Sequence, residues 1–363
     1  MPPRQRGVGC SCTKRSHMFA AVRYGEVVAL LKTRMAGLFP ESWYRALCEV
    51  PTEAAVLKQL QDGGIPLMAD DRLPTKQWLL MSWLVPDYRS VWLRLPRSAR
   101  PVIRAWLDRL ELENVKYAVR SLASGERIRP DALIDVGALA SLPISAFRDL
   151  THLADLEAAV RHTSFEAPLR ATAHRLREDQ GVFVIEAALD RHLYRTLLRT
   201  AERYRGPGAA ALRRLTIQFM VALALMWTIR YRFSYNLPAE AILGLATTGS
   251  TGTLADLVHR AMAAGSDEDV HALLTEVAGS STREQTEPRE SSDTSAFGAW
   301  ERRLWHAVYR TATVSLLGTP FGLSVIVALL ILKELAIRDI AVICQGRAMA
   351  LSPDALKPLL IHG

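Results

Sequence analysis

Apolar residues recur at helical spacing along most of the chain, and no segment alternates with the two-residue period of a half-buried strand. The stretch 333–345 shows the pattern most plainly. There Ile337, Ile340, Ala341 and Cys344 fall at i, i+3, i+4 and i+7, one face of a helix. Glu334 and Arg338 sit four apart with the acid on the N-terminal side, the order that supports a helix. After Gly346 the chain is expected to turn. Ser352-Pro353-Asp354 then supplies a capping hydroxyl, a proline that needs no hydrogen-bonded N–H, and an acid at the positive end of a new helix. The predicted unit is helix, turn, short helix.

Asp339 precedes Pro353 by 14 residues, and the same count finds three further versions of the unit. Glu26 precedes Pro40 by 14, Asn114 precedes Pro130 by 16 and Ala224 precedes Pro238 by 14, each with an apolar helical run between. The first turn after each proline carries an acid: Glu41, Asp131, Glu240 and Asp354. Six residues after the anchor stand Lys32, Arg120 and Arg230 in three versions and Gln345 in the fourth. The anchors are 88, 110 and 115 residues apart. Solenoid repeats run about 20 to 50 residues, so a few duplicated helical domains are expected instead.

The pattern predicts long helices over 19–32, 104–122, 182–205, 209–230 and 300–317, and shorter ones from Pro40, over 52–60 and over 130–136. Two more are expected between Ser145 and Arg177, and the proline-rich 65–101 predicts short helices joined by turns. Residues 279–296 are polar and poor in apolar groups, which predicts a mobile loop. The run 217–229 has thirteen residues without charge, short of the roughly twenty that cross a bilayer, and predicts a buried core helix. The longer apolar run 314–332 is interrupted by Gly318, Pro320 and Gly322, which divide it into a helix end, a turn and a new helix.

A chain of 363 residues with 49% hydrophobic and 23% charged residues has room for two or three globular domains. Its 45 Lys and Arg exceed 37 Asp and Glu, a net charge of +8 that suits nucleic acid, a membrane surface or an acidic partner. Basic residues are spread along the chain without an aromatic stacking pattern, so nucleic acid is not the expected partner. A basic helical-repeat protein that binds nucleic acid is the alternative reading. Cys10, Cys12, Cys48 and Cys344 make no disulfide framework, which suits a reduced cytoplasmic setting. Cys10 and Cys12 lack a second ligand pair at zinc spacing, and no metal site is expected. The opening 1–18 is basic with no apolar core of a signal peptide and is expected to be a disordered tail.

Nothing in the sequence carries catalytic chemistry. Gly244 to Thr251 has the glycine spacing of a phosphate-binding loop, but Ser250 stands where the lysine belongs. His152, His162, His174 and His192 have no ligand partner at metal spacing, and no nucleophile elbow or carboxylate pair is present. No cofactor is expected.

The run Thr319-Pro-Phe-Gly, then Leu332-Lys333-Glu334, Ile337-Arg338-Asp339-Ile340, Gly346 and Leu351-Ser352 resembles the closing signature of the C-subunit family of the A/V-type ATPases, which includes the d subunit of the vacuolar enzyme. Glu113-Asn114-Val115 through Arg120, and Leu189-Asp190-Arg191-His192-Leu193-Tyr194, resemble family segments in the same order. The similarity spans about 22–360. It implies an all-α, funnel-like peripheral subunit of three pseudo-repeated helical domains on the cytoplasmic face of the membrane. Such a subunit is non-catalytic and links the membrane rotor ring to the central stalk, coupling ion translocation with ATP synthesis or hydrolysis. The expected units are 19–108, 109–215, 216–298 and 299–363, the last packing with the first. Lys32, Arg120 and Arg230, at the same offset in three versions of the unit, are the candidate partner interface, and the plainer alternative for them is an internal ion pair or a cation at a helix end. Asn114, Asp190, Tyr194, Pro320, Glu334, Arg338 and Asp339 are structural positions of the motif. Two departures stand out: Ala224 takes the place of an amide or acid, and Gln345 that of a basic residue.

Overall fold

A computed structural model describes residues 11–35, 40–63, 65, 80–178, 180–234, 237, 242, 253–264, 266–278, 293–318 and 321–362. Among these the chain is all-α, with no strand. The helices are α1 (Ser11–Met35), α2 (Glu41–Glu49), α3 (Glu53–Asp62), α4 (Val85–Arg94), α5 (Arg100–Ser124), α6 (Leu153–Ala159) and α7 (Glu166–Thr172). They continue as α8 (Gly181–Arg203), α9 (Ala209–Ile229), α10 (Thr253–Ala263), α11 (Asp267–Ala278), α12 (Asp293–Leu316), α13 (Leu323–Ala348) and α14 (Pro353–Leu356).

Local chemistry sets most of these borders. Thr52 caps α3 by accepting from the Ala55 amide at 3.2 Å, and Ser352 caps α14 by accepting from Ala355 at the same distance. Gly125 ends α5 in the left-handed conformation, with φ of 72°. Between Pro130 and Val136 the chain forms only a 3-10 turn at Pro130–Ala132, because the expected helix gives way to a segment that α5 holds by its side chains. The stretch 145–177 holds four short elements rather than two helices, with 3-10 turns at Ile144–Phe147 and Ala173–Arg177 flanking α6 and α7. The first helix begins at Ser11, eight residues before the apolar pattern does, and α12 begins at Asp293, inside the stretch expected to be a loop. The rest of that stretch lies outside the described residues.

Gly346 does not end its helix. It lies buried in α13, where a Cβ would collide with Leu356 Cδ2, so its bareness seats α14 against α13. The apolar face read from Ile337 and Ile340 is also too narrow a description. From Leu323 to Gly346 nearly every residue of α13 is buried, including Lys333, Glu334 and Asp339. Helix α9 is the one described helix long and apolar enough to cross a membrane, and 56% of its apolar window is buried within the protein. The loop at 244–251 lies outside the described residues.

Two apolar cores form. One gathers α1 to α4, the first half of α5, the end of α8 and α9 to α14. The other runs from Leu112 through Leu193 and includes Val119, Ile128, Phe147, Phe165 and Leu189. Helices α5 and α8 pack together along their length and belong to both cores, so each continues from one into the other.

Candidate partner interface

Counting back five residues from the anchors Asn114, Ala224 and Asp339 gives Arg109, Phe219 and Glu334, and the fold brings these three together. Arg109 donates through Nη1 to Glu334 Oε2 at 2.8 Å and through Nη2 to Oε1 at 2.6 Å, a two-point bond that fits the planar fork of a guanidinium. The Arg109 guanidinium carbon lies 4.5 Å from the Phe219 ring centre and 5.1 Å from that of Trp106. Both charged side chains are buried, at 8% and 3% exposure. Burial alone would raise the Glu334 carboxyl, but Arg109 first and Arg338 after it hold it below its ordinary value. Arg338 is a secondary partner at 3.4 Å, and its guanidinium lies over Trp305 at 4.1 Å.

The anchors themselves share a task. Asn114, on α5, donates from Nδ2 to the Ile134 carbonyl and accepts the Ile134 amide at Oδ1, both at 2.8 Å. Asp339, on α13, accepts the Ile361 amide at 2.8 Å and the His362 amide at 2.9 Å, and its Oδ2 lies 2.6 Å from His362 Nδ1. Each anchor reaches some twenty residues ahead and satisfies buried backbone of the segment that follows its own proline. Ala224 has no side chain for this, and Glu26 points outward to Arg94 at 3.0 Å. The amide or acid at the anchor therefore has a mechanical meaning in two of the four copies.

Further charges tie the helices. Lys116 meets Asp190 at 3.1 Å; burial lowers the lysine, but Asp190, Glu113 and Glu186 outweigh it and keep the ammonium charged. Lys333 bonds Asp87 and the Trp83 carbonyl, with its ammonium 4.3 Å from a Trp83 ring centre, and Arg34 reaches the other Asp87 oxygen at 2.9 Å. Tyr194 is buried edge-on to Trp227, with ring centres 5.4 Å apart. Pro320 lies outside the described residues.

Lys32, Arg120 and Arg230 occupy three different surroundings. Lys32 is exposed near the end of α1 and has no ion-pair partner among the described residues. Arg120 pairs with Glu186 at 2.5 Å and Arg230 with Glu301 at 2.7 Å, both arginines remaining more than a third exposed. Arg230 and Gln345, which stand at the same offset from their anchors, line one pocket of about 410 Å³, together with Arg302, Arg338, Trp305 and Met349. The basic residues are also less dispersed than the sequence suggests. Arg191, Arg195, Arg199 and Arg203 recur every fourth residue along α8.

The sequence did not single out Arg109, Phe219, Lys116, Asp87 or Glu111. Glu111 takes the amides of Ser141 and Leu142 at 3.0 Å, a second α5 side chain holding the segment that follows. For Arg109 and Phe219 a signal does exist in the chain: the repeat offset itself, five residues before the anchors.

Comparison with known proteins supplies the family. The model of the ATP synthase (C/AC39) subunit family matches residues 27–359. The C subunit of the A-type ATP synthase of Methanocaldococcus jannaschii is 23% identical over 353 residues, covering 93% of this chain and 86% of the relative. With the match running from within α1 to α14 and taking in the anchors Asn114, Ala224 and Asp339, the chain belongs to the ATP synthase (C/AC39) subunit family.

Proposed function

We propose that this protein is the non-catalytic central-stalk adaptor of an A/V-type rotary ATPase, seated peripherally on the cytoplasmic face of the membrane between the rotor ring and the central stalk. The observation that carries the reading is the family match over 27–359, joined to a helical body cross-tied by buried ion pairs. Transmitting torque asks for stiffness, and close-packed helices locked by Arg109–Glu334, Lys116–Asp190 and Lys333–Asp87 deform little. The convergence of Arg109, Phe219 and Glu334 supports a pseudo-symmetric assembly of duplicated units, which in turn supports the funnel of three domains. In it Lys32, Arg120 and Arg230 take similar places at helix ends and face the stalk. Arg120 and Arg230 would exchange their present acids for acids of the stalk, at small cost because exposed pairs are worth about 0 to 1 kcal/mol.

Purification of a tagged chain from its native membranes, with its companions identified by mass, tests this reading. Ring and stalk subunits are expected together. Recovery with neither, and with nucleic acid instead, would overturn it.

A further inference from the structure

The positive charge of the protein is concentrated on one helical hairpin. Residues 191–214, the second half of α8 and the first turns of α9, hold seven arginines and one acid, Glu202, and the next acid in the chain is Glu240. Seven less one leaves six of the chain's eight net positive charges on this segment. Arg191, Arg195, Arg199 and Arg203 stand four apart on α8, and α9 packs back against that helix with Arg213 and Arg214 in its second turn.

Helix α8 divides its charges by face. Its acids point inward: Glu186 meets Arg120 at 2.5 Å and Asp190 meets Lys116 at 3.1 Å, both partners on α5. The buried row Leu189, Leu193, Leu197 and Ala201 lies on that same side, and the arginine stripe lies on the other. Arg191 and Arg195 are half-buried and have contacts of their own. Arg199 and Arg203 are exposed and form no ion pair among the described residues, and the same is true of Glu202 between them. Their field reaches His192, half-buried on the stripe side, whose imidazole is held below its ordinary value by burial first and by Arg195 and Arg199 after it. Like charges four apart on a helix repel, and at the exposed end of the stripe no bonded carboxylate among the described residues relieves them.

Shape and chemistry decide what would relieve them. Among the described residues neither α8 nor the turn after it has an exposed large apolar side chain, so the stripe has nothing to insert into a bilayer. Tyr194 and Tyr204 are buried, so it offers no ring on which a base could stack. Four residues of helix rise about 6 Å, whereas phosphates along one strand of a duplex advance about 3.4 Å. A second helix with acids four apart has the same rise, and its ridge runs parallel to the arginine ridge when the two axes cross at about 50°. Each guanidinium can then take a carboxylate with its planar fork.

We infer that the α8 stripe, centred on Arg199 and Arg203, is a docking surface for an acidic helix of a partner protein with carboxylates at four-residue intervals. The stripe includes none of Lys32, Arg120 and Arg230, so it is a second surface, whatever those three meet.

Two hydrocarbon-stapled helical peptides of one composition test it, one with four glutamates every fourth residue and the other with them spread around the helix. Each is titrated at low salt into the purified full chain and followed by fluorescence anisotropy. The ladder peptide is expected to bind about fivefold more tightly than its isomer and to weaken about fivefold in Arg199→Gln/Arg203→Gln. It is expected to bind Glu202→Gln more tightly than the parent, a gain that unfolding cannot produce, and the far-ultraviolet helical signal of both variants stays as it was. Equal binding of the two peptides would overturn the inference, and loss of flotation with phosphatidic acid vesicles in the double variant would then assign the stripe to a membrane surface. Ladder binding unchanged in the double variant would overturn it too. So would a pentauridylate, with four phosphates, that binds more tightly than the ladder peptide and is lost in the double variant, which assigns the stripe to nucleic acid.

Discussion

Arg109 and Glu334 stand 225 residues apart in the chain and close a buried two-point ion pair, each five residues before the anchor of its own repeat copy. Two positions at the same offset from their anchors thus carry opposite charges and bind each other. The pair joins α5 to α13 inside the larger core, where neither charge can turn to water.

Removing one partner leaves the other charge buried without its two-point partner. Arg109→Met or Glu334→Leu is expected to cost about 3–5 kcal/mol, while Arg109→Met combined with Glu334→Leu recovers most of the loss. Denaturant unfolding of the four proteins gives the coupling energy directly. Additive losses would show that the two residues act separately.

Asn114 and Asp339 hold backbone, so their chemistry should not be interchangeable. Asn114→Asp loses the donor that meets the Ile134 carbonyl and is expected to cost about 1–3 kcal/mol. Asp339→Asn turns a group that only accepts into one that also donates, facing amides that only donate. Hydrogen exchange at Ile361 and His362 is expected to accelerate in that variant, while exchange at Ile134 stays as it was. Equal exchange in variant and parent at all three amides would mean that Asp339 does not clasp the chain end.

The Glu334 carboxyl sits below its ordinary value of 4.5, with Arg109 the largest of the causes opposing burial. On acidification the unfolded chain binds this proton first, so the contribution of Glu334 is complete above that value and fades as pH falls towards the lower folded value. The stability difference between the parent and Glu334→Gln is therefore expected to be widest near neutral pH and to shrink below 4.5. A gap independent of pH would mean that the loss arises from packing rather than charge.

Much of this was legible in the chain because periodicity and capping are local. Helical spacing marked α5, α8, α9 and α13, and Ser352 announced the helix it caps. The family resemblance from Thr319 to Ser352 pointed to the right family. What escaped was non-local. Nothing near Glu334 signals that its main partner is Arg109 rather than Arg338 at i+4, since the choice depends on which helices the fold sets side by side. Gly346 looked like a stop because glycine usually marks one, whereas here its missing Cβ admits Leu356. The arginines of α8 recur every fourth residue within a helix the pattern predicts, a stripe that counting along the chain would have found. The role of Lys32, Arg120 and Arg230 was the least legible, because a cation near a helix end has the same sequence signature whether it serves an internal acid such as Glu186 or a partner.

The adaptor role is tested most directly by asking whether the chain bridges two things that do not otherwise hold together. Purified rotor ring in nanodiscs and the isolated central stalk are mixed with parent chain, with Lys32→Glu/Arg120→Glu/Arg230→Glu, or with neither, and the stalk retained on the ring is quantified alongside the melting temperature of each chain. Retention is expected only with the parent, and the triple variant is expected to lose more retention than its small fall in melting temperature explains. Stalk retained without the chain would contradict the bridging role. A triple variant that melts early while its folded fraction still bridges would assign Lys32, Arg120 and Arg230 to holding the fold together and remove them from the interface.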